Sequence, residues 1–313
     1  MVSSHFHTGA LTKKSTLPTH DPLIASTVAG TQSRLGEGPC WHPQEQVLYW
    51  VDIEGQALRK YSPGTKEVVA YPMPERVNAV VPMAGGGLLL ALHNRVCSYN
   101  TATGEIGTLA RPLTDASIRL NDGKCDPCGR FWVGTMALDV RAGAAALYCV
   151  QQNLQVTLAL QHLTISNGLA WSKNGDTFYF TDSPTRTVQA FDFDLAAGSI
   201  RNPRVVVRVP EQEGMPDGLD IDVNGNLWIA LHGSAAVACF NPDTGEQLQR
   251  VEVEAINVTS CTFGGPNLDT LYITTAREWL PEEQLEKYPL SGSVFEVKPG
   301  VKGREVNFFR PSV

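Results

Sequence analysis

Apolar residues in this chain gather in short runs separated by glycine-rich and polar segments. Six runs, VLYWVD, GLLLAL, RFWVGT, TFYFTD, NLWIAL and TLYITT, each hold an aromatic or leucine anchor: Tyr49, Leu89, Trp132, Tyr179, Trp228 and Tyr272. Successive anchors stand 40, 43, 47, 49 and 44 residues apart. Eleven or twelve positions before each anchor comes a polar residue: Glu37, Asn78, Asn121, Asn167, Asp217 and Ser260. Strand-type runs that repeat every ~45 residues predict a β-propeller. The expectation is an all-β, six-bladed propeller of four-stranded blades. Each unit reads as a polar inner loop, an inner strand with the anchor, a second strand, a Gly turn such as PGTK at 63–66 or DTGE at 243–246, and an outer strand. A second turn family, DPCGR at 126–130, SKNGD at 172–176 and DVNGN at 222–226, lies within the units. A candidate first strand at 23–28 and a late one at 293–299 are expected to pair and close the ring, which hides open edges. Only PEEQLEKY, 281–288, suggests a helical turn.

Constant register has a chemical consequence. If each repeat is one blade, the six polar residues occupy equivalent places around one axis. Taken singly, the N-G and D-G pairs at Asn167 and Asp217 read as hairpin turns. Independent turns, however, have no reason to share one offset from an anchor. The common offset of Glu37, Asn121, Asn167 and Asp217 therefore predicts an oxygen-rich, metal-centred site. Carboxylate and amide oxygens suit hard cations such as Ca2+, Mg2+ or Mn2+, and Zn2+ stays open.

Composition narrows the classes further. A formal charge of -7 leaves no basic face for nucleic acid. The longest apolar stretch, near Leu88 to Leu92, is strand-sized, so no membrane span is expected. Seven scattered cysteines do not form an even disulfide framework, and the Cys125–Cys128 CxxC has neither a second CxxC nor a His pair nearby; it reads as a turn, and the pattern points to a reducing, cytoplasmic setting. Residues 1–22 read as a disordered extension, with an organelle transit peptide as the alternative, and 23–313 as one propeller domain.

The motifs GEGPCWHP, RLNDGKCDPCGRFWVGTM, ISNGLAWS, MPDGLDID and TSCTFGGPNLDTLYITTA follow one another from about residue 35 to 276. In them the chain resembles the gluconolactonase and regucalcin (senescence marker protein) family of six-bladed propellers. The resemblance implies one divalent ion held by Glu37, Asn167 and Asp217, with Ca2+ as the first expectation and a substrate-facing set of Arg119 and Asn121. Where vertebrate regucalcin-like members have paired glutamates after GTMA, this chain has Leu138-Asp139, so the identity of the lactone does not carry over.

Lactone hydrolysis then assigns roles. The ion would polarise the carbonyl. Arg119 would hold the oxyanion. A free oxygen of Asp217 would take a proton from water, while Asn121 and Asp139 would orient hydroxyls. For Arg119 the plain alternative is a salt bridge to Asp122 or Asp126. His232 reads as a site wall or a structural residue, and His42, His93 and His162 as turn or surface residues. Asp52 and Asp182, at equivalent strand ends, are expected to bond to neighbouring blades, with Asp182 a candidate for substrate contact. The leading function is a metal-dependent sugar (aldono) lactone hydrolase acting as a monomer. The alternatives are a hydrolase of other esters or phosphotriesters on the same scaffold, and a non-catalytic calcium-binding protein.

Overall fold

A computed structural model describes residues 23–312; the expected extension at 1–22 lies outside the described residues. Four antiparallel sheets of four strands each run from Gly36–His42 to Glu67–Pro72, Val77–Pro82 to Ile106–Ala110, Ile118–Cys125 to Val156–Leu163 and Ser166–Trp171 to Ser199–Arg208. The remaining nine strands form one sheet. It divides into two four-stranded runs that meet at the single pair His232–Asn257. One run begins with Met215–Ile221 and ends with Gln247–Glu252. The other begins with Asn257–Gly264 and ends with Ser26–Val28 paired to Val294–Val297. The early and late strands therefore pair as the sequence suggests. The predicted strand at 23–28 is nevertheless split: Leu23–Ile24 runs parallel to Gln247–Glu252 at the next run's edge, hinged at buried Ala25.

The first strands of these units pack one against the next in chain order, and Asn257–Gly264 returns to pack on Gly36–His42. The result is a propeller-like, all-β fold. Second strands such as VLYWVD and LLLAL are buried at every position because sheets cover both faces. That explains their continuous apolar runs. Outer strands such as EVVAYP stay half wet.

The anchors fill the space between sheets. Tyr49 packs with Val77, Leu88 and Leu90, and Trp132 with Trp171, Phe178 and Phe193. Each such buried side chain contributes roughly 1.5–3 kcal/mol. Trp132 and Trp228 also share a polar device: each indole Nε1 donates to an aspartate, Asp126 at 3.0 Å and Asp222 at 3.1 Å. The other oxygen of each aspartate accepts backbone N–H groups of its own tight turn. The CxxC segment is thus a turn. The seven cysteines are free, with Cys125 buried.

Two readings of the repeat need correction. The polar residues lie not on inner loops but within the innermost strands, and the anchors sit on the second strands. Asp52 and Asp182 do not reach neighbouring sheets. Asp52 accepts the N–H groups of Arg34 and Leu35, and Asp182 those of Thr164 and Ile165, so each clamps the segment entering its own sheet. The helical turn is present at Glu282–Lys287. Among the described residues no helix is long and apolar enough to cross a membrane.

Candidate active site and metal centre

Each innermost strand slips register at its polar residue. The breaks fall at Glu37/Cys40, Val77/Ala79, Leu120/Gly123, Asn167/Leu169, Pro216/Leu219 and Val258/Ser260. A bulge re-aims one side chain out of the ladder, and here it does so six times at equivalent places. Glycine permits the crowding that follows. Gly168 has φ +24°, and a Cβ there would stand 2.7 Å from the Asp217 carbonyl oxygen; one on Gly218 would collide with Ser260 Oγ.

A cavity of about 640 Å3 opens at one end of the molecule, and Glu37, Arg119, Asn121, Asp139, Asn167 and Asp217 all line it. His232, Ser183 and Thr259 join them, as do the Glu54–Arg76 ion pair (2.9 Å) and an apolar set that includes Met136, Met215 and Trp279. Every site residue expected from the sequence therefore reaches one space. Arg119, Asn121, Asn167 and Asp217 are buried at its base, and Glu37 is half-buried. Asp139 stands at the exposed rim, 3.6 Å from Arg141.

The base is tightly wired. Arg119 Nη1 donates to Asn78 Oδ1 (3.0 Å), to the Leu120 carbonyl (3.0 Å) and to Asn121 Oδ1 (2.6 Å). Asn121 Nδ2 donates in turn to the Ser166 carbonyl (2.9 Å) and Asn167 Oδ1 (2.7 Å), and Asn167 Nδ2 to Ser183 Oγ (2.9 Å). The alternative salt bridge of Arg119 is not formed: Asp126 pairs with Arg130. Instead the Asn121 amide links Arg119 to Asn167, with both its N–H bonds committed to protein oxygens.

Charge at the base is unbalanced. Burial, then the nearby Asp122 carboxylate, pushes Glu37 up to about 8. Burial, Glu37 and Asp122 drive Asp217 well above the carboxylate range. Burial lowers Arg119 to about 10, against the pull of Glu37, so it stays cationic at neutral pH. Burial also lowers His232, favouring a neutral ring. Asp217 Oδ1 is buried without a hydrogen-bond partner. Buried carboxylates crowded together, one with an orphaned oxygen, are what a cation would relieve. The donor set of two carboxylates and an amide oxygen fits a hard divalent ion.

Sequence reasoning missed Asn78 as a partner of Arg119, although it named Asn78 as a ring position. It also missed Glu54, Arg76, Met136, Met215 and Trp279, which sit in loops or at strand ends and share no register signal. His232 was named, and it is wall. His42 is buried rather than superficial, its Nδ1 accepting the Glu45 N–H at 3.2 Å.

Comparison with known proteins sharpens the picture. Residues 35–277 match the SMP-30/Gluconolactonase/LRE-like region. Regucalcin of Danio rerio is 38% identical over 275 residues, spanning 87% of this chain and 93% of that one. A Bacillus subtilis (strain 168) protein, provisionally named sugar lactone lactonase YvrE, is 33% identical over 271 residues, with 86% and 93% covered. A solved regucalcin of Agrobacterium tumefaciens, described as a calcium-binding protein, superposes with a TM-score of 0.88 at 28% identity, covering 92% of this chain and 98% of the other.

Proposed function

The chain belongs to the SMP-30/gluconolactonase/LRE-like family, and from that premise we propose that it is a metal-dependent hydrolase that opens a sugar lactone to its acid. We read the two halves of the nine-stranded sheet as two blades of a closed, six-bladed propeller, so that Glu37, Asn167 and Asp217 converge near its axis. These three would hold one divalent ion. Ca2+ is favoured because a related solved structure is described as calcium-binding; Mg2+, Mn2+ and Zn2+ are the competitors. The bound ion supplies Lewis-acid polarisation of the lactone carbonyl.

The protein's own groups do the rest. Arg119 is pinned through Nη1 and stays charged, so the guanidinium is preorganised to meet an oxyanion without moving. With an ion holding the Asp217 carboxylate ionised, the oxygen left free of the ion would accept a proton from an attacking water. Asn121 holds Arg119 and Asn167 in mutual register, a positioning role in place of direct hydroxyl recognition. Asp139 at the rim can accept from a hydroxyl. The free thiols suit a reducing compartment, and a cytoplasmic monomer remains our expectation.

One observation carries this reading: the Asn121 amide couples the cationic oxyanion donor directly to an expected ion ligand. A protein that merely stores calcium gains nothing from a buried arginine there. The test is to strip the protein with chelator, re-add each cation separately and follow acid release from aldonolactones. Restoration by one or more ions supports the reading. Turnover indifferent to chelation, or no turnover with any lactone, rejects it.

A further inference from the structure

Two carboxylates besides Glu37 and Asp217 line the cavity, and each has a guanidinium partner. They differ in how much water they see. The Asp139 side chain is 58% exposed at the rim, 3.6 Å from Arg141. The Glu54 side chain is only 15% exposed, and its partner Arg76 lines the cavity beside it. Arg76 grips Glu54 through two parallel bonds, Nε to Oε1 at 2.9 Å and Nη2 to Oε2 at 3.0 Å. Such a fork is the strong, oriented form of the pair. Its place is close to the expected chemistry: the Arg119 guanidinium, lowered chiefly by burial and raised by Glu37, also feels Glu54 and, in the opposite sense, Arg76.

Both members of the pair are held in place. Glu54 sits in a turn in which Asp52 Oδ1 accepts the Gly55 N–H (3.0 Å). Arg34 Nη1 donates to the Glu54 carbonyl (3.2 Å), while its Nε and Nη2 clamp the Glu278 carboxylate at 2.9 and 2.7 Å. Arg76 directly precedes Val77–Pro82, the strand whose Asn78 accepts from Arg119. The pair nevertheless keeps hydrogen-bonding capacity. Each Glu54 oxygen has a lone pair beyond the one that meets Arg76, and Arg76 Nη1 takes no part in the fork. An acceptor and a donor fixed together suit hydroxyl groups, which both give and take a hydrogen bond. They suit an anion poorly, because Glu54 already answers the charge of Arg76. A partly dried polar group also penalises a substrate that leaves it unmatched, and Glu54 is far drier than Asp139.

We propose that the Glu54–Arg76 pair determines specificity by reading the ring hydroxyls of the sugar lactone, Glu54 accepting from one hydroxyl and Arg76 Nη1 donating to another. The inference rests on the lactonase reading above but is tested apart from it. Hydrolysis of glucono-1,5-lactone, corrected for its spontaneous opening, is compared with that of δ-valerolactone, the same ring without hydroxyls. The wild type is expected to favour the hydroxylated lactone in kcat/KM. Glu54→Gln and Arg76→Met should each reduce that preference about 10- to 100-fold, the effect of a lost hydrogen bond to a charged group. The loss should fall mainly on KM for gluconolactone and leave δ-valerolactone near the wild-type value. Glu75→Gln is the control: it breaks the adjacent Glu75–Arg95 pair (2.7 Å), which does not line the cavity, and should leave the preference intact. A wild type without the preference, an equal loss on both lactones, or an equal effect of Glu75→Gln would mark the pair as a plain staple and overturn the proposal. If neither lactone is opened, the lactonase reading fails and the pair is judged by binding alone. Calorimetry with 1,5-anhydroglucitol against tetrahydropyran then decides. An advantage of the hydroxylated ring that is lost in Glu54→Gln sustains the proposal; no advantage, or one that survives the substitution, refutes it.

Discussion

The six bulged positions share a place in the fold but not a task. Glu37, Asn167 and Asp217 present oxygens to the cavity, and two of them are carboxylates whose charge burial opposes. Asn78 and Asn121 instead face Arg119 and fix its guanidinium. Ser260 lies against Gly218, on the side of a small separate cavity lined by Asp122 and Lys124. Register decides where a side chain goes; its chemistry decides what it does there. On the proposed reading the six seats divide into three for an ion, two for an arginine and one for packing.

That division predicts a graded series. Replacing Asp217 by Ala removes an expected ligand and the expected base together. Turnover should fall at least 10²–10⁴-fold, the range for a lost general base alone, as measured by acid release in saturating cation. Arg119→Met should cost about 10²–10³-fold, the loss typical of an oxyanion donor, with cation affinity nearly retained. Asn121→Leu cuts the link between the two groups without touching either charge. About 10–100-fold in activity or cation affinity is expected, as for partners that orient a metal ligand; equal effects of Asn121→Leu and Ser260→Ala would erase the distinction drawn here. Ser260→Ala should stay within about 1 kcal/mol in stability and leave turnover close to the wild type.

A pH scan sharpens the same contrast. Glu37 titrates near 8 in the folded protein, above its ordinary value, so the fold retains a proton the unfolded chain has lost. Its stabilising effect is full below the ordinary carboxylate pKa and disappears as pH rises through about 8; Asp217 shifts in the same direction. The thermal midpoint of chelator-treated protein should fall across that window. Saturating cation should remove the fall. A midpoint rising from pH 5 to 8 without cation would contradict the electrostatics described here.

Much of this was legible in the sequence because a propeller repeats itself. Anchors such as Trp132 and Trp228 face equivalent gaps, so their spacing reports the units, and Glu37, Asn121, Asn167 and Asp217 stand out by offset alone. The bulges were not legible, since a register slip depends on pairing and not on residue type; hence polar strand positions read as loops. Nor were the bonds of Asp52 and Asp182, whose direction turns on which segment enters the sheet. The mouth was least legible. Trp279 owes its position to the Arg34–Glu278 clamp, between residues 244 apart in the chain, and no periodicity encodes that.

The central claim is convergence of Glu37, Asn167 and Asp217 on one ion, and a calorimetric titration of Ca2+ into chelator-stripped protein tests it most directly. Below pH 8, binding should be one to one and accompanied by proton release, because ligands held protonated by burial must ionise. Glu37→Gln and Asp217→Asn should each abolish or severely weaken it. Binding that releases no protons, or survives both substitutions unchanged, would place the ion elsewhere and contradict the account.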